Sequence, residues 1–268
     1  MPTNHAKPAC EASRGPLSPG MVTYVAVLLL SLLSFLTTSV GVLLATLIRE
    51  NTRAVAFGIG FSAGIMILVS VFELIPEADS AVGAPRTAVA LGFGAMLLLG
   101  INFTIPHSHL IPEHGLGDTR LVTSVYLVVI GLIVHDVPEG FAMANAYIAD
   151  PSLGLLVALA IALHNLPEEM AMALPATTLQ SRRFLLGAAV LSALAEPVGA
   201  VVGLLAVEAL GGLNGYFLAF AAGAMLFVSF HELLPMARRY GRLRWFSAGI
   251  LLSVAVHRLL ALVTSELT

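Results

Sequence analysis

The sequence predicts an all-α membrane protein with eight transmembrane helices, and three observations carry that expectation. Of 268 residues, 58% are hydrophobic and only 11% charged, and the mean hydropathy is +0.93, far from the mix of a soluble domain. Apolar runs of roughly the 20 residues needed to cross hydrocarbon recur along the chain with short connections. These runs lack the alternation of barrel strands, and backbone groups in lipid must pair within their own segment, so helices are the expected form.

The first 20 residues hold Pro2, Pro8, Pro16 and Pro19 among polar neighbours, which predicts a disordered tail. Residues 21–268 then read as one eight-helix membrane domain. The first three spans run from about Val22 to Ile48, Ala54 to Pro76 and Thr87 to Ile105. Two central spans follow, Leu121 to Ile148 and Leu153 to Thr178. The last three are Phe184 to Glu208, Leu213 to Ala237 and Trp245 to Leu267. The opening apolar run is too long for the core of a signal peptide, and no A-x-A-like site follows it. Cys10 is the single cysteine, so thiolate chemistry inside the membrane is excluded. A net charge of −3 gives no basis for a nucleic-acid partner.

Orientation follows from the 13 basic residues. With the N-terminus outside, the cytoplasmic connections hold Arg49, Arg53, Arg120, Arg182, Arg183, Arg238, Arg239, Arg242 and Arg244, leaving Lys7, Arg14, Arg86 and Arg258 elsewhere. The positive-inside rule therefore places both termini outside the cytoplasm, with the chain in the plasma (inner) membrane.

Two internal repeats are visible. FSAGIMILVSVFELIP, from Phe61, matches FAAGAMLFVSFHELLP, from Phe220, at nine of 16 positions with a constant offset of 159. HDVPEGFAMA, from His135, matches HNLPEEMAMA, from His164, at six of ten. Each pair falls on spans an odd number apart, so its members cross in opposite directions. Transporters built from inverted repeats hold substrate near the midplane, at helices interrupted by proline or glycine. Packing by small residues accounts for Gly64 and Gly223, but not for recurring ionisable groups.

Between Arg120 and Arg182 there is no lysine or arginine, yet the interval carries Asp136, Glu139, Glu168 and Glu169. A carboxylate at the centre of a membrane helix costs about 2.5 to 3.5 kcal/mol on the lenient insertion scale. His135 and His164 beside these acids supply neutral nitrogen ligands, which points to a metal ion. At about 100° per residue, Glu139 lies about 40° around the helix from His135 and Asp136 about 100° on the same side. Glu139 is therefore placed to bridge two ions. One site would take His135, Glu139, His164 and Glu168; its neighbour would take Asp136, Glu139, Asn165 and Glu168. Glu196, followed by proline on the sixth span, is the candidate to complete the second. Pro138 and Pro167 are expected to kink their helices and free the carbonyls of Val134 and Leu163. Imidazole and carboxylate suit Zn²⁺, and less selectively Fe²⁺, Mn²⁺, Co²⁺ or Cd²⁺, whereas the lack of thiolate argues against copper(I).

With both HxxPE motifs and Glu196 in place, the chain resembles the ZIP (Zrt/Irt-like) family of divalent metal transporters over everything after the tail. The resemblance implies a three, two, three arrangement of helices, with a metal centre, often binuclear, on the two central spans. Carried over by motif, its ligands are His135, Asp136, Glu139, His164, Asn165, Glu168 and Glu196. It also implies a methionine near the site, at about Met66, although its repeat mate Met225 makes ordinary core packing the competing account. Two positions depart from the family pattern. Asp136 stands where asparagine is common and adds charge; Glu169 stands where glycine is usual, and reads either as a pathway acid or as a proton-exchanging group facing water.

Glu73 and Glu232 are repeat mates three residues before a proline, and inversion puts Glu73 towards the outside and Glu232, with His231, towards the cytoplasm. They read as stations for uptake and release, or as interfacial acids wetted by headgroups. The tract PHSHLIPEHG offers His107, His109 and His114 either as a loop that binds metal or as a plain polar connection. His257 and Arg258 show no partner in the sequence and are expected to snorkel to the outer interface.

The function expected is transport of divalent cations, zinc first, into the cytoplasm by alternating access, with no catalytic cofactor and no enzymatic activity. The partners expected are divalent metal ions and the lipid bilayer, with a second copy of the chain as a candidate. The alternative is an intramembrane metal-dependent hydrolase. Its nearest motif, HELLP from His231, lacks the second histidine of HExxH.

Overall fold

In the computed structural model, residues 20–48, 51–104, 118–174 and 182–266 are described. Among them, every regular element is helical and none is a strand. In chain order these are α1 (Met21–Ile48), α2 (Thr52–Val69), α3 (Ile75–Val82), α4 (Ala84–Thr104), α5 (Asp118–Ala149), α6 (Pro151–Ala173), α7 (Arg182–Leu210), α8 (Asn214–Val228), α9 (Leu234–Tyr240) and α10 (Leu243–Glu266).

The helix boundaries follow local chemistry. Asn51 starts α2 by accepting from the Ala54 amide, and Asp150 starts α6 by accepting from the amides of Ser152 and Leu153 ahead of Pro151 at the first helical position. Gly83 and Gly241, at φ of +83° and +62°, close α3 and α9 in a region that side chains disfavour.

Six stretches of the described residues are long and apolar enough to cross a membrane: Met21–Ala45, Thr52–Val82, Ala84–Phe103, Pro151–Ala171, Ala189–Tyr240 and Leu243–Glu266. The fifth contains most of α7 with α8 and α9, and a 3-10 turn at Gly211–Leu213 interrupts it.

Burial sorts the helices into an outer and an inner set. Large exposed apolar side chains stud α1, α4, α7 and α10, for instance Leu43, Phe93, Leu205 and Leu262, while α2 and α8 bury most of their length. In water such an exposed belt would be a liability; in lipid it is the expected surface.

The helix pairs follow one rule. The helix α2 packs on α10 and α4 on α8, while α1 packs on α6 and α5 on α7. Exchanging the first three spans with the last three, and α5 with α6, maps each of these pairs onto another. The contacts are close because of particular glycines. A Cβ on Gly199 of α7 would meet the carbonyl oxygen of Val137, and one on Gly41 of α1 would meet that of Leu166. Val137 and Leu166 hold the same place in the two HxxPE repeats, so both motifs are gripped in the same way.

The repeats of α2 and α8 also share a distortion. Each helix widens into a π-helical turn, Ser70–Leu74 in one and Ser229–Leu233 in the other, so that Ile75 donates to the Ser70 carbonyl and Leu234 to that of Ser229. Pro76 and Pro235 follow directly. A proline has no amide to give and its ring crowds the preceding turn, so the widened ladder accommodates it. Pro138 and Pro167, by contrast, lie inside α5 and α6, which remain helical across them.

Candidate metal centre

The seven ligand candidates come together where α5, α6 and α7 meet α1. His135, Asp136, Glu139, His164, Asn165, Glu168 and Glu196 are all buried, each 3% exposed or less. Four of them form one group: the His164 Nε2 lies 3.1 Å from Glu139 Oε1 and 3.9 Å from Glu168 Oε2, the His135 Nε2 lies 3.6 Å from Glu139 Oε1, and His135 touches Glu168. Single ligand atoms of His135, Glu139 and Glu168 fall within 4.8 Å of one another, as do those of Asp136, Glu139 and Glu196. Glu139 thus belongs to both triads, as its angular position on the helix predicts. Glu168 lies with the first triad, whereas Asn165 contacts Glu196 beside the second.

Supporting bonds orient the ligands. His164 Nδ1 lies 2.9 Å from the Ala160 carbonyl, one turn earlier, and so donates to it, which fixes the ring with Nε2 turned towards Glu139. Ser62 of α2 donates to the His164 carbonyl, and Asn165 donates to Thr38 of α1. Several buried ligand atoms make no hydrogen bond: both nitrogens of His135, both oxygens of Glu168, and one oxygen each of Glu139 and Glu196. Buried polar atoms are normally satisfied, and these nitrogen and carboxylate lone pairs are of the kind that could hold a cation.

The two departures from the family pattern meet in space. Ser192 of α7 donates to Asp136 at 2.7 Å and lies 3.3 and 3.4 Å from the two oxygens of Glu169. Glu169 is 1% exposed, so it faces this cluster and not water.

Sequence reasoning missed Ser192, Ser62 and Thr38. A signal existed for Thr38: Ser31, Ser34 and Thr38 repeat at helical spacing along α1, and all three are buried. Ser192 likewise stands four residues before Glu196, hence on the same face.

The lower-ranked candidates separate. Met66 is buried in the main apolar core, as expected of packing. Glu232 is buried, 6% exposed. His231 stacks on Phe227 and faces Asn102 through Nδ1 at 3.2 Å. Glu73 meets His257, whose Nε2 is 3.0 Å from Glu73 Oε1. This corrects the expectation that His257 snorkels outward: the ring is buried against α2, while Arg258 beside it is exposed. His107, His109 and His114 lie outside the described residues.

A family model described as ZIP Zinc transporter matches residues 106–256. The chain belongs to the ZIP zinc transporter family. Relatives agree along most of its length. A protein named zinc transporter ZupT from Chlorobium luteolum is 37% identical over 244 residues, covering 82% of this chain and 91% of that protein. Proteins of the same name from Corynebacterium aurimucosum and Stenotrophomonas maltophilia are 36% and 35% identical, covering 79% and 80% of this chain and 87% of each relative. As a ZIP chain it is expected to be a transporter, and the hydrolase reading of HELLP gains nothing from these comparisons.

Proposed function

We propose that this ZIP protein carries divalent cations, zinc foremost, across the membrane into the cytoplasm through a binuclear centre by alternating access. The observation that carries the reading is Glu139, whose carboxylate belongs to two converging triads of buried candidate ligands, with no lysine or arginine between Arg120 and Arg182 to neutralise them. An arriving ion exchanges hydration water for His135, His164, Glu139 and Glu168. A second is held by Asp136, Glu139 and Glu196, with Asn165 at its edge. Protons compete for the same lone pairs, so protonation of the ligands promotes release.

Eight spans in a three, two, three arrangement fit this function, with α2 and α3 counted as one span and α8 and α9 as another. The exchange symmetry of the helix pairs and the matching π turns support that arrangement. The basic residues favour both termini outside. Glu73 serves as the outer station, and His231 with Glu232 as the inner one. A second copy of the chain is a candidate partner through the exposed apolar faces.

The test is uptake of radiolabelled zinc into proteoliposomes. Glu139→Ala and His164→Ala are expected to abolish it; uptake equal to the parent would refute the assignment.

A further inference from the structure

Outside the seven candidate ligands, the structure assembles a second place where an imidazole meets a carboxylate. Glu73, in the π turn after α2, presents Oε1 3.0 Å from Nε2 of His257 on α10. The histidine is 5% exposed, and that nitrogen makes no hydrogen bond despite its closeness to the acid. The atoms are near enough to bond but not aligned for it. The central His135 and Glu168 show the same combination of close approach and unsatisfied atoms. A nitrogen and a carboxylate oxygen 3.0 Å apart without a hydrogen bond between them leave lone pairs that a cation can share.

The carboxylate side of the pair has access to solution through Glu73. Glu73 lines a cavity of about 380 Å³ together with Glu77, Ser80, Asp150 and Thr264. Asp150 is already engaged as the cap of α6 through Ser152 and Leu153. Glu77, one helical turn beyond Glu73, is the remaining acid able to face an ion. Among the described residues, no lysine or arginine lines this cavity.

We propose that Glu73 and His257 form a separate site that captures a hydrated transition-metal dication at the mouth of the protein, with Glu77 on the wall of the same cavity. As a binding site it stands independently of the central centre; only its role as a capture station rests on the transport reading. One imidazole with carboxylates suits Zn²⁺ or Co²⁺, whereas Ca²⁺ and Mg²⁺ take oxygen ligands alone, so the histidine discriminates at the mouth. Two protein ligands hold an ion loosely, and most of its coordination stays with water. That suits a station which must pass its ion on, since conduction needs sites weak enough to leave.

The test uses full-length protein and radiolabelled zinc. In a background of Glu139→Gln with His164→Gln, saturable zinc binding is expected to remain and to resist excess calcium. Adding either His257→Leu or Glu73→Gln should weaken that residual binding by roughly tenfold or more. Residual binding unchanged by both substitutions overturns the proposal, as does its absence from the background. Monodisperse elution and cooperative unfolding certify each variant. If the background fails to fold, the comparison moves to the otherwise unmodified chain, where either substitution should remove a single bound ion per chain; unchanged stoichiometry overturns the proposal there. Failure of the central assignment reads differently: the Glu139→Gln, His164→Gln pair would then bind zinc as the parent does.

Discussion

Glu139 is the side chain on which both triads depend, whereas Glu196 serves only the second. Zinc bound per chain at saturation should therefore fall further in Glu139→Gln than in Glu196→Gln, as read by elemental analysis of the purified protein. Equal losses would mean that Glu139 does not bridge. Ser192 makes a second prediction at this scale, because its hydroxyl is the donor shared by Asp136 and Glu169. Ser192→Ala leaves two buried acids with a donor removed, at a cost of about 1–3 kcal/mol. Thermal unfolding without metal should show the loss. The candidate ligands were legible because imidazole and carboxylate are conspicuous in apolar runs. Ser192 and Thr38 left only a spacing signal and Ser62 none, since hydroxyls are ordinary in membrane helices.

At the level of elements, close approach of backbones decides where the ligands sit. The helix α7 reaches α5 because Gly199 has no Cβ to strike the Val137 carbonyl. Gly199→Val should overpack that contact and destabilise the fold by about 1–3 kcal/mol, read as a lower midpoint of thermal unfolding. The start of α6 offers a milder test. Asp150 accepts from the amides of Ser152 and Leu153, and Asp150→Ala should cost about 1 kcal/mol as a lost cap. The Ser152 hydroxyl, foremost, and these amides hold the Asp150 carboxyl below its ordinary value. Its folded pKa is thus the lower one, so the stabilisation is present above the unfolded value, about 3.9, and is lost as pH falls through the folded one. The parent and Asp150→Ala should therefore converge in stability at acid pH. The π turns belong to this scale too: the proline in each repeat announced a disturbance, but the structure shows a widened turn before Pro76 and Pro235 and uninterrupted helix across Pro138 and Pro167. Neighbouring helices, which the local sequence does not contain, settle which response a proline draws.

For the whole molecule, the inverted repeat has a topological consequence. Ser80 and Arg239 are exposed and stand 159 residues apart, the offset of the two repeats. They should therefore face opposite sides of the membrane. With Cys10 replaced by serine, an impermeant maleimide added to intact cells should label Ser80→Cys and spare Arg239→Cys until the membrane is opened. Labelling of both from one side would contradict the inverted arrangement.

The amino-acid sequence by itself determined that the chain is helical, apolar and internally repeated, and that its central acids sit beside histidines. Those properties are local: hydropathy, periodicity and motif need no knowledge of what lies across the bundle. Tertiary structure alone decided that Ser192 joins Asp136 to Glu169, and that His257 turns inward to Glu73 instead of outward to the interface. Both are contacts between residues remote along the chain, brought together by helix packing, and in a membrane such packing rests on small side chains and shape more than on hydrophobic pattern.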